Sequence, residues 1–295
     1  MSLDLFGNKV KKPKVKKPKV KKNTPDENKI NIYLWSGGKD STCLIDKELR
    51  AGKRIDYIVF TDTTKEFPEM YDYINKVSKY WIIRYKVIYI HLYPQNDFDS
   101  IIFNVRGENG VACTNPNNKG KIAGLLNPTV GFCEWRNCSK ITPFEKWIKC
   151  KAFKDDDYLL YLGFTIDESS RCKRGTNQRY PLIDIYRYRE VDCSNYLKEY
   201  ELENPLYRYF ARTGCRLCPY QSPLDYYNIW RYFPEVWEEF KEYEKRVIEH
   251  PKKAISSHWF QNFKTTADKE EEFKKWYSLG FEPSDEPLKN CMCKV

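Results

Sequence analysis

The chain has 295 residues, of which 41% are hydrophobic, and carries 51 basic against 41 acidic side chains. That length allows one large domain or two modest ones with an ample core, and no apolar run approaches the roughly 20 residues that a membrane-spanning helix needs. The first residues lack the charged-then-apolar order of a secretory signal, so we expect a cytoplasmic protein without a membrane partner. Its 11 cysteines should then stay reduced, with some binding metal.

A lysine-rich tail is predicted over residues 1–28. Lys9 to Lys22 repeats Lys-Val-Lys-Lys-Pro and holds nine lysines, which account for nine of the ten net positive charges. Prolines and repulsion between like charges favour a disordered, extended segment. Such a tail would bind the phosphate backbone of nucleic acid, DNA above all, without sequence preference. The alternative is a tail that serves solubility only.

A short apolar peptide, Ser2-Leu3-Asp4-Leu5-Phe6, precedes the lysines. It resembles the Gln-Leu-Ser/Asp-Leu-Phe peptide with which bacterial DNA-maintenance proteins dock on the sliding clamp, with Ser2 in place of glutamine. The resemblance implies a sliding clamp as a partner for Leu3–Phe6. The alternative is an apolar terminus without a ligand.

The strongest pattern lies at residues 30–52. A β-prone run, Ile30 to Trp35, leads into Ser-Gly-Gly-Lys-Asp-Ser at Ser36–Ser41, and an amphipathic helix follows from Asp40 to Gly52. Two glycines at a strand-to-helix turn allow several N–H groups to converge beside the positive end of the helix dipole. This predicts a phosphate site, and a carboxylate at Asp40 predicts an intervening Mg²⁺.

Four segments carry a resemblance to a known family. Ser36–Ser41 resembles the pyrophosphatase loop of the adenine nucleotide α-hydrolase (PP-loop) superfamily and lacks the Walker spacing. Thr61–Glu69 resembles the Asp-Thr-Gly-x-x-Phe-Pro-Glu segment of the branch similar to phosphoadenosine phosphosulfate (PAPS) reductase, with Thr64 in place of glycine. Lys140–Phe144 resembles its Lys-x-x-Pro-Leu/Phe element, and Gly163–Arg171 its Gly-Ile-Arg-Ala-Asp-Glu-Ser-x-Arg segment.

The resemblance runs from about Lys29 to about Arg246 and implies both a fold and a site. The implied fold is α/β, a doubly wound and mostly parallel PP-loop/HUP-like sheet, and the implied ligands are ATP and Mg²⁺. The residues expected to act in catalysis are Lys39, Asp40 and Asp167. Those expected to contact the nucleotide are Ser36, Gly37, Gly38, Lys39, Asp40, Ser41, Asp62, Thr63, Glu168 and Arg171.

The remaining elements alternate between strands and helices, as a parallel sheet requires. Strands are predicted at 55–60, 84–92 and 158–164, helices at 67–81 and 140–154, and a long loop or insertion at 93–131. Residues 29–185 should form the nucleotide-binding domain, and 186–295 a mostly helical region with its clearest helical stretch at 224–250, interrupted at Pro234.

Two cysteine pairs are candidate metal ligands. Cys215 and Cys218, flanked by glycine and proline, form a knuckle that supplies half a tetrahedral set. Cys133 and Cys138 are the expected other half, and the family resemblance supports this because its iron–sulfur members bracket the site with an upstream pair and a downstream Cys-x-x-Cys. The expected centre is a 4Fe–4S cluster, with Zn²⁺ as the alternative. Cys150, Cys172 or Cys193 could replace one ligand, and the other interpretation is a pair of buried thiols at a helix corner.

Three functions remain open. The first is ATP-dependent adenylation with pyrophosphate release, coupled to sulfur transfer or modification of nucleic acid; it resembles the sulfur-transfer subunit of DNA phosphorothioation systems and would use a sulfur donor protein. The second is sulfur assimilation, by a PAPS reductase or a sulfate adenylyltransferase subunit, although Cys291 and Cys293 lack the Glu-Cys-Gly-x-His setting of the reductases. The third is a DNA-binding regulator that senses nucleotide.

Overall fold

The computed structural model describes residues 28–127, 133–173 and 176–281. The lysine repeat, the Leu3–Phe6 peptide, Cys291 and Cys293 lie outside these residues, so the predictions on them stay predictions. Within the described ranges, no helix is both long and apolar enough to cross a membrane.

Five parallel strands make the central sheet. The strands in chain order are β1 Ile30–Trp35, β2 Tyr57–Thr61, β3 Tyr89–Leu92, β4 Ile122–Gly124, β5 Tyr158–Tyr161, β6 Gln178–Arg179 and β7 Ala254–Ser256. The sheet has the order β3-β2-β1-β5-β6, whereas β4 and β7 pair separately. The strand order therefore reverses beside β1, which confirms the doubly wound α/β architecture and creates a crevice at the carboxyl ends of β1 and β5.

Ten α-helices are assigned in the described ranges. They are α1 Lys39–Arg50, α2 Pro68–Tyr85, α3 Phe98–Phe103, α4 Glu134–Arg136, α5 Thr142–Cys150, α6 Pro181–Asp184, α7 Glu190–Glu199, α8 Pro223–Tyr232, α9 Pro234–Ile248 and α10 Thr266–Ser278. A π-helical turn, Asn137–Ile141, joins α4 to α5, and single 3₁₀ turns lie at Pro116–Asn118, Ile166–Arg171, Pro205–Arg208 and Gln261–Phe263. The predicted helical C-terminal region is thus confirmed, with its break before Pro234.

Both faces of the sheet are covered, as a parallel sheet requires. Along β1, Tyr33 and Trp35 join the large core cluster that includes Trp81 of α2, whereas Ile32 joins a second cluster with Ile148 of α5. This alternation follows from the two-residue period of a strand. The sheet is therefore a rigid platform whose carboxyl edge can hold a site.

Three boundaries differ from the sequence prediction. Helix α2 continues to Tyr85, past the expected end at Trp81, and stops at Lys86, which adopts a left-handed φ of +59°. Strand β3 accordingly begins at Tyr89 rather than at Arg84. The predicted insertion at 93–131 contains α3 and β4, and β4 is held by β7, so its pairing depends on residues far along the chain.

Candidate functional site

The phosphate loop, residues 36–41, lies between β1 and α1 at the point where the strand order reverses. Gly37 has a φ of +74°, and a Cβ there would lie 2.6 Å from Met70 Sδ, so only glycine fits. Gly38 caps α1 without a side-chain hydrogen bond. Gly163, which follows β5, approaches so closely that a Cβ on it would lie 2.6 Å from the Ser41 nitrogen. The loop is thus fixed from two sides.

The loop is closed by its own serines. The Ser36 amide donates to Ser41 Oγ at 3.2 Å, and the two hydroxyl oxygens lie 3.0 Å apart. The Gly38 amide donates to Ser36 Oγ at 3.3 Å. These bonds bring the hydroxyls and amides predicted to hold phosphate together at the amino end of α1, where the helix dipole is positive.

Asp40 carries the most perturbed carboxyl in the loop. Its Oδ1 atom is buried and has no hydrogen-bond partner in the part of the chain that the structure describes. Burial raises the pKa of Asp40 to about 7; Lys39 opposes the shift, and Glu190 and Glu168 add to it. An orphaned carboxylate oxygen in this position fits a hard cation such as Mg²⁺.

The other acidic residues of the predicted site belong to the turn after β5 and to α7. Asp167 Oδ2 accepts the Glu190 amide at 3.0 Å, so it caps α7. Glu168 pairs with Arg171, whose guanidinium lies 4.5 Å from the centre of the Phe164 ring. Gly163, three residues before this turn, packs against Ser41, so the turn lies near the phosphate loop.

The loop after β2 is ordered by Asp62. Its Oδ1 accepts the Thr64 amide at 2.6 Å and the Tyr71 hydroxyl at 3.0 Å, and its Oδ2 lies 2.9 Å from His91 Nε2. Thr64, where the family segment has glycine, adopts a left-handed φ of +55°. A β-branched residue is strained in that conformation, which explains why glycine is usual there.

The same loop anchors both cysteine-bearing segments. In the upstream cysteine segment, residues 133–138, Trp135 Nε1 donates to the Thr63 carbonyl at 3.1 Å. In the downstream cysteine segment, residues 213–218, the Arg216 amide donates to the Lys65 carbonyl at 2.7 Å. Arg216 also donates from its guanidinium to the Glu66 carbonyl at 2.7 Å. The predicted ligand pairs therefore flank one loop.

The cysteines themselves occupy tight turns. The Cys218 amide donates to the Cys215 carbonyl at 3.1 Å, and Cys138 lies in the π-helical turn. Burial, and the nearby Glu134, raise the pKa of the Cys138 thiol. Among the described residues, no three His, Cys, Asp or Glu side chains are grouped closely enough to hold a metal. The assignment of Cys133, Cys138, Cys215 and Cys218 as a ligand set stays a prediction.

Four contacts at the phosphate loop were not predicted from the sequence. The Tyr207 hydroxyl accepts the Lys39 amide at 2.8 Å, and Asn204 Nδ2 donates to the Gly37 carbonyl at 3.0 Å. Glu190 pairs with Lys39 at 2.7 Å, and Thr213 Oγ1 lies 3.3 Å from the position of a Cβ on Gly38. Asn204-Pro205 marks a turn in the sequence, but no local pattern indicates that this turn meets a loop 167 residues earlier.

Comparison with known proteins identifies related sequences. Residues 30–100 match the family model described as phosphoadenosine phosphosulfate reductase domain. An uncharacterized protein of Methanocaldococcus jannaschii is 28% identical over 221 residues, which is 71% of this chain and 40% of that protein. An uncharacterized nin region protein of Escherichia phage lambda is 26% identical over 194 residues, which is 60% of this chain and 62% of that protein. The chain thus spans less than two thirds of these relatives.

One solved structure overlaps much of the chain. The U34-tRNA thiolase NcsA of Methanococcus maripaludis, solved with its 4Fe–4S cluster, is 15% identical and covers 88% of this chain and 75% of its own. The TM-score is 0.36, which is too low to assign a shared substrate.

Proposed function

We propose that this chain, whose residues 30–100 belong to the PAPS reductase-like branch of the PP-loop superfamily, adenylates a substrate with ATP and releases pyrophosphate, in the course of sulfur transfer or modification of nucleic acid. One observation carries the proposal: the segment that leads into Cys-x-x-Cys lies beside the phosphate loop, with Thr213 Oγ1 3.3 Å from the position of a Cβ on Gly38. Nucleotide chemistry and thiol chemistry would then share one crevice.

The phosphate loop supplies the groups that adenylation needs. The amino end of α1 and the hydroxyls of Ser36 and Ser41 would orient the phosphates, and Lys39 would neutralise charge on them. Mg²⁺ held at Asp40 would supply further neutralisation when bound. Attack of a substrate oxygen on the α-phosphorus then expels pyrophosphate, and the protein contributes position and charge rather than a covalent nucleophile.

The downstream cysteine segment supports a sulfur-transfer step after adenylation. Cys215 is two positions after Thr213, and two residues of extended chain span at most about 7 Å. A sulfide-level sulfur nucleophile, delivered there by a donor protein, would displace AMP from the adenylated substrate: the new bond to sulfur forms as the substrate's bond to AMP breaks, and AMP leaves with the bonding electron pair. This step does not depend on a metal centre.

The nucleic-acid part of the proposal is supported by the lysine tail. Nine lysines within 14 residues can contact successive phosphates and release condensed counterions. Docking of Leu3–Phe6 on a sliding clamp would bring the enzyme to DNA. A sulfur donor protein is the third proposed partner.

A second candidate, sulfur assimilation, is favoured by the description of the family match. In that case the acceptor would be sulfate or an adenylylated sulfate, and the lysine tail would play no part in substrate binding. The two candidates differ in the molecule that stimulates pyrophosphate release.

Pyrophosphate release should be measured with ATP and Mg²⁺ alone, and then with duplex DNA, RNA or sulfate added. Stimulation by nucleic acid supports the proposal, and stimulation by sulfate alone supports assimilation. Asp72→Asn, at an exposed carboxylate on α2, is the matched control for Asp40→Asn. Nucleotide binding without any pyrophosphate release would contradict adenylation and favour a nucleotide-sensing regulator.

The tail is tested by replacing its nine lysines with glutamine, with the full-length chain for comparison. We expect weaker binding to every duplex, by about tenfold at low salt, and a flatter salt dependence. Fluorescence anisotropy across a salt titration measures both quantities. Equal affinities at low salt would leave the tail with a solubility role.

A further inference from the structure

Lys39 offers the phosphate loop two donors, and residues of the C-terminal region hold both. Its backbone amide donates to the Tyr207 hydroxyl at 2.8 Å, and its ammonium lies 2.7 Å from a Glu190 carboxylate oxygen. The ammonium also lies 5.5 Å from the centre of the Tyr207 ring. These contacts join α1 to α7 and to the 3₁₀ turn at Pro205–Arg208.

Both contacts compete with a phosphate. A phosphate oxygen cannot accept from the Lys39 amide while a hydroxyl oxygen accepts there, and the Glu190 carboxylate repels an anion that approaches the ammonium. The side chain of Glu190 is 46% exposed, so it can swing into solvent at small cost. The buried Asp40 Oδ1, unlike the two donors of Lys39, has no hydrogen-bond partner among the described residues.

We propose that Tyr207 and Glu190 form a latch that closes the phosphate loop. A nucleoside triphosphate binds by displacing both residues from Lys39, and this inference rests on the proposed nucleotide function. Tyr207 and Glu190 are positioning residues here, because they act through Lys39 rather than on the reacting atoms.

The latch also connects the nucleotide to the cysteines. The Tyr207 hydroxyl oxygen and Thr213 Oγ1, at the start of the downstream cysteine segment, each lie 3.3 Å from the position of a Cβ on Gly38. Release of Tyr207 from Lys39 would therefore change the packing beside Thr213, and Cys215 lies two residues further on. Nucleotide binding would thus loosen residues 205–213, next to the downstream cysteine segment.

Equilibrium binding of ATP with Mg²⁺ to the full-length protein tests the latch. Tyr207→Phe removes the hydroxyl and keeps the ring, and Glu190→Gln removes the charge. We expect each variant to bind ATP about threefold more tightly and the double variant about tenfold, as for one weak polar contact each. Tyr277→Phe and Glu199→Gln, at exposed positions on α10 and α7, are matched controls and should bind like wild type.

Amide hydrogen exchange gives a readout that needs no turnover. Without nucleotide, Tyr207→Phe should speed exchange in the peptide that contains Lys39; with ATP, wild type should exchange faster at residues 205–213 and more slowly at the start of α1. Unchanged or weaker ATP binding in both variants would overturn the latch while leaving nucleotide binding intact. Absence of ATP binding in wild type and in the double variant would overturn the nucleotide function itself.

Discussion

The phosphate loop and the two cysteine segments meet at one end of the sheet but are held in place in opposite ways. The loop is closed by bonds between Ser36 and Ser41, only five residues apart. The cysteine segments are placed by contacts across 72 residues, from Trp135 to Thr63, and across 150 residues, from Arg216 to Glu66.

The loop also has distant contacts, from Tyr207, Asn204 and Gly163, but the bonds that close it are local. We therefore expect loss of one distant contact to weaken the loop, and loss of an anchor to displace a cysteine segment.

The largest effect is expected at the locally built site. Asp40→Asn should reduce pyrophosphate release by more than about 100-fold, because an amide cannot hold the cation that neutralises the phosphates. The measurement is a coupled pyrophosphate assay on protein shown to be folded by circular dichroism. Activity within a few fold of the Asp72→Asn control would remove Asp40 from the chemistry.

Asp40→Asn should lose activity but gain stability at alkaline pH. Burial raises the pKa of Asp40 in the folded state to about 7, so between the ordinary aspartate pKa and pH 7 the folded state holds a proton that the unfolded state has lost. Wild type therefore loses stability as pH rises through this range. Asp40→Asn carries no such charge, so it should melt above wild type at about pH 8. The difference should shrink as pH falls and vanish near pH 4; a difference independent of pH would contradict the role of burial.

The next effect concerns the site assembled from distant parts. Cys215→Ser and Cys218→Ser should each lose bound metal, and Cys133→Ser or Cys138→Ser should do the same, since each ligand completes one set. Iron and zinc content, with visible absorbance of protein purified without oxygen, measures the loss. Cys113→Ser, at a partly exposed cysteine that is not among the candidate ligands, is the matched control. Loss from the downstream pair alone would show that the upstream pair is wrongly chosen.

A smaller effect is expected at the anchor of the downstream cysteine segment. Glu239 pairs with both Lys65 and Arg216 at 2.6 Å. Burial alone would raise the pKa of Glu239, but hydrogen bonds from Arg216 and Lys65 outweigh it and lower the pKa. Glu239→Gln should therefore cost about 2 kcal/mol of unfolding free energy at neutral pH.

Because that folded pKa is lowered, the stabilisation is present above the unfolded value and is lost as pH falls through the folded one. The unfolding free energies of wild type and Glu239→Gln, measured with urea, should converge as pH falls below the ordinary range of a glutamate carboxyl. A constant difference across pH would mean that packing, and not the ion pairs, holds the segment.

The smallest effect is expected at Thr64, which lies between the two regions. Thr64→Gly should stabilise the protein by up to about 1 kcal/mol, because glycine adopts the left-handed conformation without strain and only part of the gain is offset by unfolded-chain entropy. Ala152→Gly, at an exposed residue with a φ of +54°, tests the same relief of backbone strain at a position far from the site. Destabilisation at Thr64 alone would indicate that its side chain contributes to the loop.

Features set by local sequence could be predicted, whereas features set by tertiary contacts could not. Strand β1 has the predicted bounds, and the positive φ of Gly37 follows from the turn that the motif requires. The end of α2 was misplaced because Ile82 and Ile83 are β-branched and resemble strand residues, although both are exposed on the last turns of a helix that ends only at the left-handed Lys86. Tyr207 gives no sequence signal, since its contact with Lys39 spans 168 residues.

The central position of β1 has a consequence for how the protein is made. Strand β1 pairs with β2 soon after it in the chain, but also with β5, where Ile30 lies opposite Tyr158. Closing that pairing carries a large loop-closure entropy and must wait until β5 has been synthesised. At about 5–20 residues per second, a nascent chain holds the complete Ser36–Ser41 motif for several seconds before Gly163 can pack against it. During that interval the motif lacks its packing against Gly163, and we expect a chain on a ribosome stalled before β5 not to bind nucleotide.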